Sequence, residues 1–368
     1  MMLFLRNRGG AVAVSIVMVW ATCAGCRKAA PEGDQSASRP GGAPVTTVVV
    51  YCSVDTAFAQ PILDEFEKRT GIKVHAVFDT EAGKTTGLVN KLLAEKAAPR
   101  ADVWWSNEIF GTMQLAGRGI LAPYKPPTAE DIPAQYRDPA GLWTAFGLRR
   151  RVLAFDPKRT KKEELPRRWC ELVDPKYKDR FCMAEPRFGT TRGHMATLLS
   201  LWGEEAMKRF YAGLRENGCR LTDGNSQSVL LLTRGLADLV ATDTDDVIVA
   251  QQRGDSIEMI FPDLDAPDGK HPVPGTLWIP NSVALVAGAQ RAESGRRLVD
   301  YLVSAEIEEK LRASESQNVP VRPALRAKMG ARRDSRTSDF PGEAQIDYVA
   351  AAGVLEESDR LVREILLR

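Results

Sequence analysis

A chain of 368 residues is long enough to build two lobes that each bury a core of their own. Its 50 basic and 48 acidic side chains nearly cancel, so it lacks the basic excess that a nucleic-acid partner requires. Nothing in the composition marks the main body as disordered.

The N-terminus reads as a targeting segment. Arg6 and Arg8 precede an apolar run from Ala11 to Ala21, too short to span a bilayer comfortably. Cys23-Ala24-Gly25-Cys26 resembles a bacterial lipobox, with Cys23 standing where leucine is usual. The resemblance implies a signal peptide over residues 1–25, lipidation of Cys26 and a place in the cell envelope, in the periplasm or on the outer face of the membrane. A CxxC redox or metal pair is the alternative for Cys23 and Cys26. Cleavage before Cys26 removes two arginines and no acid, leaving the mature chain electrically balanced. Residues 26–45, rich in Pro, Gly, Ser and Ala, form a flexible tether. Cys52, Cys170, Cys182 and Cys219 then remain, and in an exported protein they allow three pairings between which the sequence does not choose.

From Val45 to Tyr51 a β-branched run predicts a strand, followed by a polar loop ending in Asp55. Phe58, Ile62 and Phe66 have helical spacing, and Gly71 closes that helix. Ile72 to Phe78 completes a βαβ unit, with Asp79-Thr80-Glu81 in the loop beyond. A second helix spans Thr86 to Ala97. Ala101 to Trp105 is a buried strand ending in Ser106-Asn107-Glu108. Strand character resumes over Trp143 to Phe155, where Arg149 and Arg151 share a face and Arg150 points the other way, as on a solvated edge. Arg180 to Ala184 is a strand. Gly189-Thr190-Thr191 leads into a helix from about Gly193 and offers backbone N–H groups and hydroxyls as an anion seat. Asn225 and Ser226 begin another helix.

Ala237 to Asp246, ADLVATDTDD, is an apolar strand running into Asp243, Asp245 and Asp246, with a helix expected over Val247 to Gln252. In open α/β sheets ligands bind at the carboxyl ends of strands. Asp55, Asn107-Glu108 and the Asp243–Asp246 turn all lie at such ends. Acids in a helix's first turn also serve as caps, which is the competing explanation for each. Gly275 to Gly288 is an apolar stretch expected to cross back to the first lobe, and Glu343 to Leu367 a closing helical segment packed on one lobe. No G-x-S-x-G, P-loop, H-E-x-x-H or G-x-G-x-x-G motif occurs, and His75, His194 and His271 are far apart, His194 reading as a surface or capping residue. No catalytic residue is assigned.

Glu65 to Val74 (EFEKRTGIKV), Ala101 to Glu108 (ADVWWSNE), Arg118 to Tyr124 (RGILAPY) and Asp174 to Arg180 (DPKYKDR), in this order and spacing, resemble the extracellular solute-binding proteins of bacterial ABC importers, in the group related to ferric-iron-binding proteins. The resemblance covers about Thr47 to Arg322. It implies an α/β, two-lobed fold of the type II periplasmic-binding-protein kind, with a ligand cleft between lobes joined by crossing strands. The lobes would be residues 46–148 with 276–340, and 149–275, followed by a helical segment over 341–368. Carried over by position, Asp55 stands where ferric-binding members often have histidine, and their acidic ligand falls near Asn107 and Glu108. The paired iron-binding tyrosines fall on Thr244 and Asp245, a departure from phenolate capture of iron.

The expected role is that of a lipid-anchored, monomeric substrate-binding component serving an ABC permease and its ATPase. The expected ligand is a cation, a hard metal ion such as Fe3+, held by Asp55, Glu108, Asp243 and Asp245. It would be cargo; no resident cofactor is expected. Arg149, Arg151, Gly189, Thr190, Thr191, Asn225, Ser226, Asn107 and Thr244 complete the binding set. A polyamine, walled by Trp105 and Trp143, or a phosphonate- or phosphate-type anion are alternatives, as are a hydrolase or a receptor-coupled sensor from other classes. Acidification towards about pH 4 is expected to weaken cation binding.

Overall fold

The computed structural model describes residues 46–79, 83–269, 272–331 and 344–368. The leader, the tether, Cys23, Cys26, Thr80, Glu81 and His271 lie outside the described residues.

In chain order, β1 (Thr47–Cys52), α1 (Thr56–Thr70), β2 (Lys73–Phe78), α2 (Thr86–Ala94), β3 (Val103–Ser106), α3 (Phe110–Gly117) and β4 (Leu121–Ala122) form the first half. The long strand β5 (Thr144–Phe155) leads into β6 (Phe181–Ala184), α4 (Gly189–Trp202), α5 (Glu204–Glu216) and β7 (Arg220–Thr222). Then follow α6 (Asn225–Thr233), β8 (Leu239–Asp243), α7 (Thr244–Gln252) and β9 (Glu258–Ile260), which close the second half. Strand β10 (Trp278–Val286) returns, followed by α8 (Ala292–Leu302), α9 (Ala305–Ala313), α10 (Pro323–Ala331), α11 (Tyr348–Gly353) and α12 (Leu355–Leu361).

The strands run in the order β2-β1-β3-β10-β5-β8-β6-β7, with β4 on β10 and β9 on β5. Within each half the inner strands are parallel and buried on both faces: β1 pairs with β2 and β3, and β6 with β7 and β8. This explains their continuous apolar composition. The two long strands β5 and β10 join the halves. β5 pairs antiparallel with β10 from Thr144 to Arg150, then with β8 from Arg151 to Phe155. All twelve residues of β5 are buried.

Gly71, at φ 71°, caps α1 as expected, its N–H on the Glu67 carbonyl at 2.8 Å. Other boundaries moved for physical reasons. α4 begins at Gly189, before the expected Gly193, and α7 begins at Thr244, so Asp245 and Asp246 belong to its first turn. Arg150 is no solvated edge residue: it is 4 % exposed, enclosed by Phe261 and Trp278. His194 is wholly buried and meets the Trp169 ring edge-on at 4.3 Å, because α4 is a core helix. Burial and Arg151 hold His194 well below the usual histidine range, so it stays neutral. The closing segment bridges the halves instead of sitting on one: α11 packs on both α3 and α4, with Tyr348 5.8 Å from Phe110, and α12 packs on α4. Arg192 of α4 pairs with Asp359 at 2.8 Å. Cys52, Cys170, Cys182 and Cys219 are free thiols.

Candidate ligand cleft

Strand and helix termini from both halves converge on one cavity of about 50 Å3. That is room for a few waters, or for an ion with part of its hydration shell. Asp55 and Asn107 reach it from the first half. Arg149, Gly189, Thr190, Thr191, Asn225, Asp243 and Asp245 reach it from β5 and the second half, and Asp246 borders it too.

Its floor is an ion cluster on Asp243, which is 2 % exposed. Arg149 Nε donates to Asp243 Oδ2 at 3.0 Å, and Arg151 Nη1 to Oδ1 at 3.0 Å. Asn225 Nδ2 also donates to Oδ2, at 3.1 Å. This follows from strand register, since Arg151 stands opposite Asp243 and alternation puts Arg149 on the same face. Arg151 is fully buried below the cavity lining, where Nη2 donates to the Thr191 hydroxyl at 2.9 Å. Burial raises the Asp243 pKa, but the two arginines outweigh it and hold the carboxyl below its ordinary value. Asp243 is therefore an anion already neutralised from below, and its oxygens are committed.

Asp245 and Asp246 differ. Burial pushes Asp245 up to about 6; Arg149, with Nε 3.8 Å away, lowers it, while Asp243 and Asp55 add to the rise. Asp246 is raised well above the usual carboxylate range by burial, then by Asp245 and Asp243. Its Oδ2 accepts the Thr242 hydroxyl at 2.8 Å and the Asp243 N–H at 3.4 Å, forming a capping box at the start of α7. One carboxylate oxygen from each of Asp243, Asp245 and Asp246 lies within 4.8 Å of the others.

Four expected residues stand apart from the cavity wall: Arg151 beneath it, and three others. Glu108 is 2 % exposed, and its carboxylate accepts the Phe110 and Gly111 N–H groups at 2.5 and 2.9 Å, so it caps α3 instead of facing a ligand. Burial pushes it up to about 7 against those hydrogen bonds. Thr244 turns its hydroxyl to the Arg150 N–H at 3.2 Å. Ser226 faces an adjoining space of about 670 Å3. Trp105 and Trp143 are no walls either: Trp105 is core, and Trp143 faces a separate cavity beside Tyr124 and Arg137. Phe58 and Phe188 supply the aromatic surface.

Sequence reasoning missed Lys84 and Asn281, both on the cavity wall, while Asp223, read with Asn225 as a polar group at the same edge, lines it as well. Lys84 forms an ion pair with Asp55. Asn281 was detectable as a polar interruption of the apolar β10 stretch; its Nδ2 donates to the Gly147 carbonyl at 2.8 Å. Lys84 sits in a loop without periodicity and gave no signal.

The cleft mouth is bridged. Gly189 N–H donates to the Lys84 carbonyl at 3.1 Å, and the Thr86 hydroxyl to the Arg187 carbonyl at 3.1 Å. Deeper in, α3 and α4 touch so closely that a Cβ built on Gly193 would lie 2.1 Å from the Phe110 ring.

Among known proteins, the bacterial extracellular solute-binding protein family matches residues 99–340. The chain is 25% identical to a major ferric iron-binding protein of Neisseria meningitidis, over 75% of this chain and 81% of that protein. It is 26% identical to a putative 2-aminoethylphosphonate-binding periplasmic protein of Salmonella typhimurium, over 73% and 75%. In fold it is similar to iron-bound HitA from Pseudomonas aeruginosa, at TM-score 0.73 and 21% identity, covering 87% of this chain and 99% of that one. It is also similar to the periplasmic binding protein AfuA from Actinobacillus pleuropneumoniae, at TM-score 0.70 and 23% identity, covering 88% and 99%. With the sheet crossing, the interlobe cleft and the matched residues taken together, the chain belongs to the bacterial extracellular solute-binding protein family, with the type II periplasmic-binding-protein fold, as the substrate-binding component of an ABC importer.

Proposed function

We propose that the protein captures a cation in this cleft, a hard metal ion with Fe3+ as the first candidate, and delivers it to a permease and its ATPase from a lipid anchor at Cys26, acting as a monomer. The observation that carries the ligand class is Asp245 beside Asp246. Burial raises both, with repulsion from Asp243 and Asp55 added at Asp245 and from Asp245 and Asp243 at Asp246, whereas Asp243 is already neutralised by Arg149 and Arg151. A cation would relieve that repulsion, and it supplies the differential affinity that closure requires. Asp55, from the opposite half, adds to the negative field at Asp245. Oxygen donors without phenolate, sulfur or imidazole suit hard ions. The lobe limits 46–148 with 276–340, and 149–275, are supported by the exchange of β5 between β10 and β8 at Arg150 and Arg151. Native mass spectrometry of protein purified without metal stripping, followed by titration calorimetry with Fe3+, Mn2+, Mg2+ and Ca2+, tests the proposal. Binding of one of them that is lost in Asp245→Asn supports it; no binding of any of them rejects the metal reading.

A second reading, a phosphonate- or phosphate-type anion, has one observation in its favour. Arg149 engages Asp243 through Nε, and its guanidinium borders the cavity opposite the N-terminus of α4 at Gly189, Thr190 and Thr191. Phosphate binding that survives Asp245→Asn would favour it.

A further inference from the structure

The middle arginine of the Arg149-Arg150-Arg151 run has no place in the cleft, yet it is as buried as its neighbours. Successive strand side chains project to opposite faces. On the far face the Arg150 guanidinium lies 4.7 Å from the ring centroid of Phe261 and 4.8 Å from that of Trp278. The series continues: the Arg326 guanidinium of α10 lies 5.5 Å from Trp278 and 5.7 Å from Tyr136, and its Nη2 donates to the Tyr136 hydroxyl at 3.0 Å. Rings and guanidiniums thus alternate through Phe261, Arg150, Trp278, Arg326 and Tyr136. Phe261 follows β9 in the second half, Trp278 opens the returning strand β10, and Tyr136 precedes β5 in the first half. The series runs behind the point where β5 changes partners, since Arg150 is in register with Trp278 and Arg151 with Asp243.

We infer that Arg150 is a positioning residue of the ligand cleft, and that this alternating stack is the seam that holds the strand hand-over in register. A planar, weakly hydrated guanidinium suits a desolvated slot between rings better than any other cation. The backbone N–H of Arg150 also donates to the Thr244 hydroxyl, between Asp243 and Asp245 in sequence. Fixing Arg150 therefore fixes two features of the cleft at once: the register that presents Arg149 and Arg151 to Asp243, and the seat of the first turn of α7. A cationic and an anionic ligand would depend on it alike, so it stands apart from the choice between the two ligand readings.

Hydrogen exchange followed by mass spectrometry on the full chain, without added ligand, tests the inference in Arg150→Met, Arg150→Lys and Arg326→Met. In Arg150→Met, exchange is expected to rise about tenfold in peptides covering 148–152, 242–246 and 276–280, with no change over 48–52. Arg150→Lys, which keeps the charge without the plane, should fall between. Arg326→Met, remote from the cleft, should still speed exchange over 276–280. Uniform acceleration across the chain would mean a general loss of stability, and unchanged exchange over 148–152 would mean that the stack positions nothing; either overturns the inference. Should Arg150→Met fail to fold, Trp278→Phe is read in the same peptides against the same two outcomes.

Discussion

The carbonyl of Lys84 accepts the N–H of Gly189 from the opposite half at 3.1 Å, while it also accepts the Thr86 N–H at 2.7 Å, so a backbone turn in one half is bonded to the helix start of the other. Thr85, within that turn, has φ 64° and ψ −54°, a costly conformation for a β-branched residue. Gly189 itself sits at φ 52°, and a Cβ there would meet nothing within 4 Å. Gly189→Ala is therefore expected to cost about 1 kcal/mol through its dihedral alone. Urea unfolding checks this: the midpoint should fall with an unchanged slope, and an unmoved midpoint would mean that Gly189 does not hold this conformation in solution.

Gly193 tests the meeting of α3 and α4. In a helix interior alanine normally stabilises by up to about 1 kcal/mol relative to glycine, but here its Cβ would clash with Phe110. Gly193→Ala should hold the halves apart, giving a larger radius of gyration in small-angle scattering and about tenfold weaker binding of whichever ion in the metal panel binds best. Adding Phe110→Ala should restore the smaller radius. If the single variant is as compact as wild type, the contact does not gate closure.

Asp243 and Asp245 should separate stability from binding. Asp243→Asn leaves Arg151 buried without its carboxylate partner and Arg149 with only the longer contact to Asp245, so a loss of about 3 to 5 kcal/mol is expected in denaturant unfolding. Asp245→Asn should fold normally and lose cation affinity. Equal stability losses in the two variants would contradict the division of roles.

For Asp245 the pH dependence has a definite sign. Its folded-state pKa, about 6, lies above its ordinary value of 3.8, so its contribution favours the fold at low pH and is lost as pH rises through about 6. Asp245→Asn should therefore gain stability relative to wild type between pH 4 and pH 7.5, by up to about 3 kcal/mol. Proton competition should weaken cation binding below about pH 6, higher than the pH 4 expected for ordinary carboxylates, because burial moves the window. Thermal unfolding and calorimetry across this range measure both; parallel pH curves for variant and wild type would show Asp245 ionising as an exposed acid does.

Labelled palmitate should enter the wild type and not Cys26→Ser. An unlabelled wild type released freely from the envelope would remove the anchor.

Much of the fold was legible in the sequence because local rules governed it. Buried parallel strands announce themselves as apolar runs, as in Val103 to Ser106 and Leu239 to Asp243. Glycines at positive φ end helices, as Gly71 does for α1. The convergence of Asp55, Asn107, Thr190, Asn225, Asp243 and Asp245 followed from their places at the carboxyl ends of strands and the starts of helices, whereas Arg149 reaches the cleft from the middle of β5. What side chains do once they meet was decided only by tertiary structure. Glu108 and Asp245 look alike in sequence, each an acid just past a strand, yet Glu108 is turned onto the N–H groups of α3 whereas Asp245 faces the cleft. Arg150 reads as a solvated edge because its partners Phe261 and Trp278 lie over 100 residues away in the chain. Asp243 passes for a free donor until β5 is paired with β8, which brings Arg149 and Arg151 onto it across some 90 residues of chain. Periodicity and capping act within a few residues and can be read from the sequence, whereas the charge and access of each carboxylate depend on desolvation and on partners brought together by strand pairing, which local sequence does not specify.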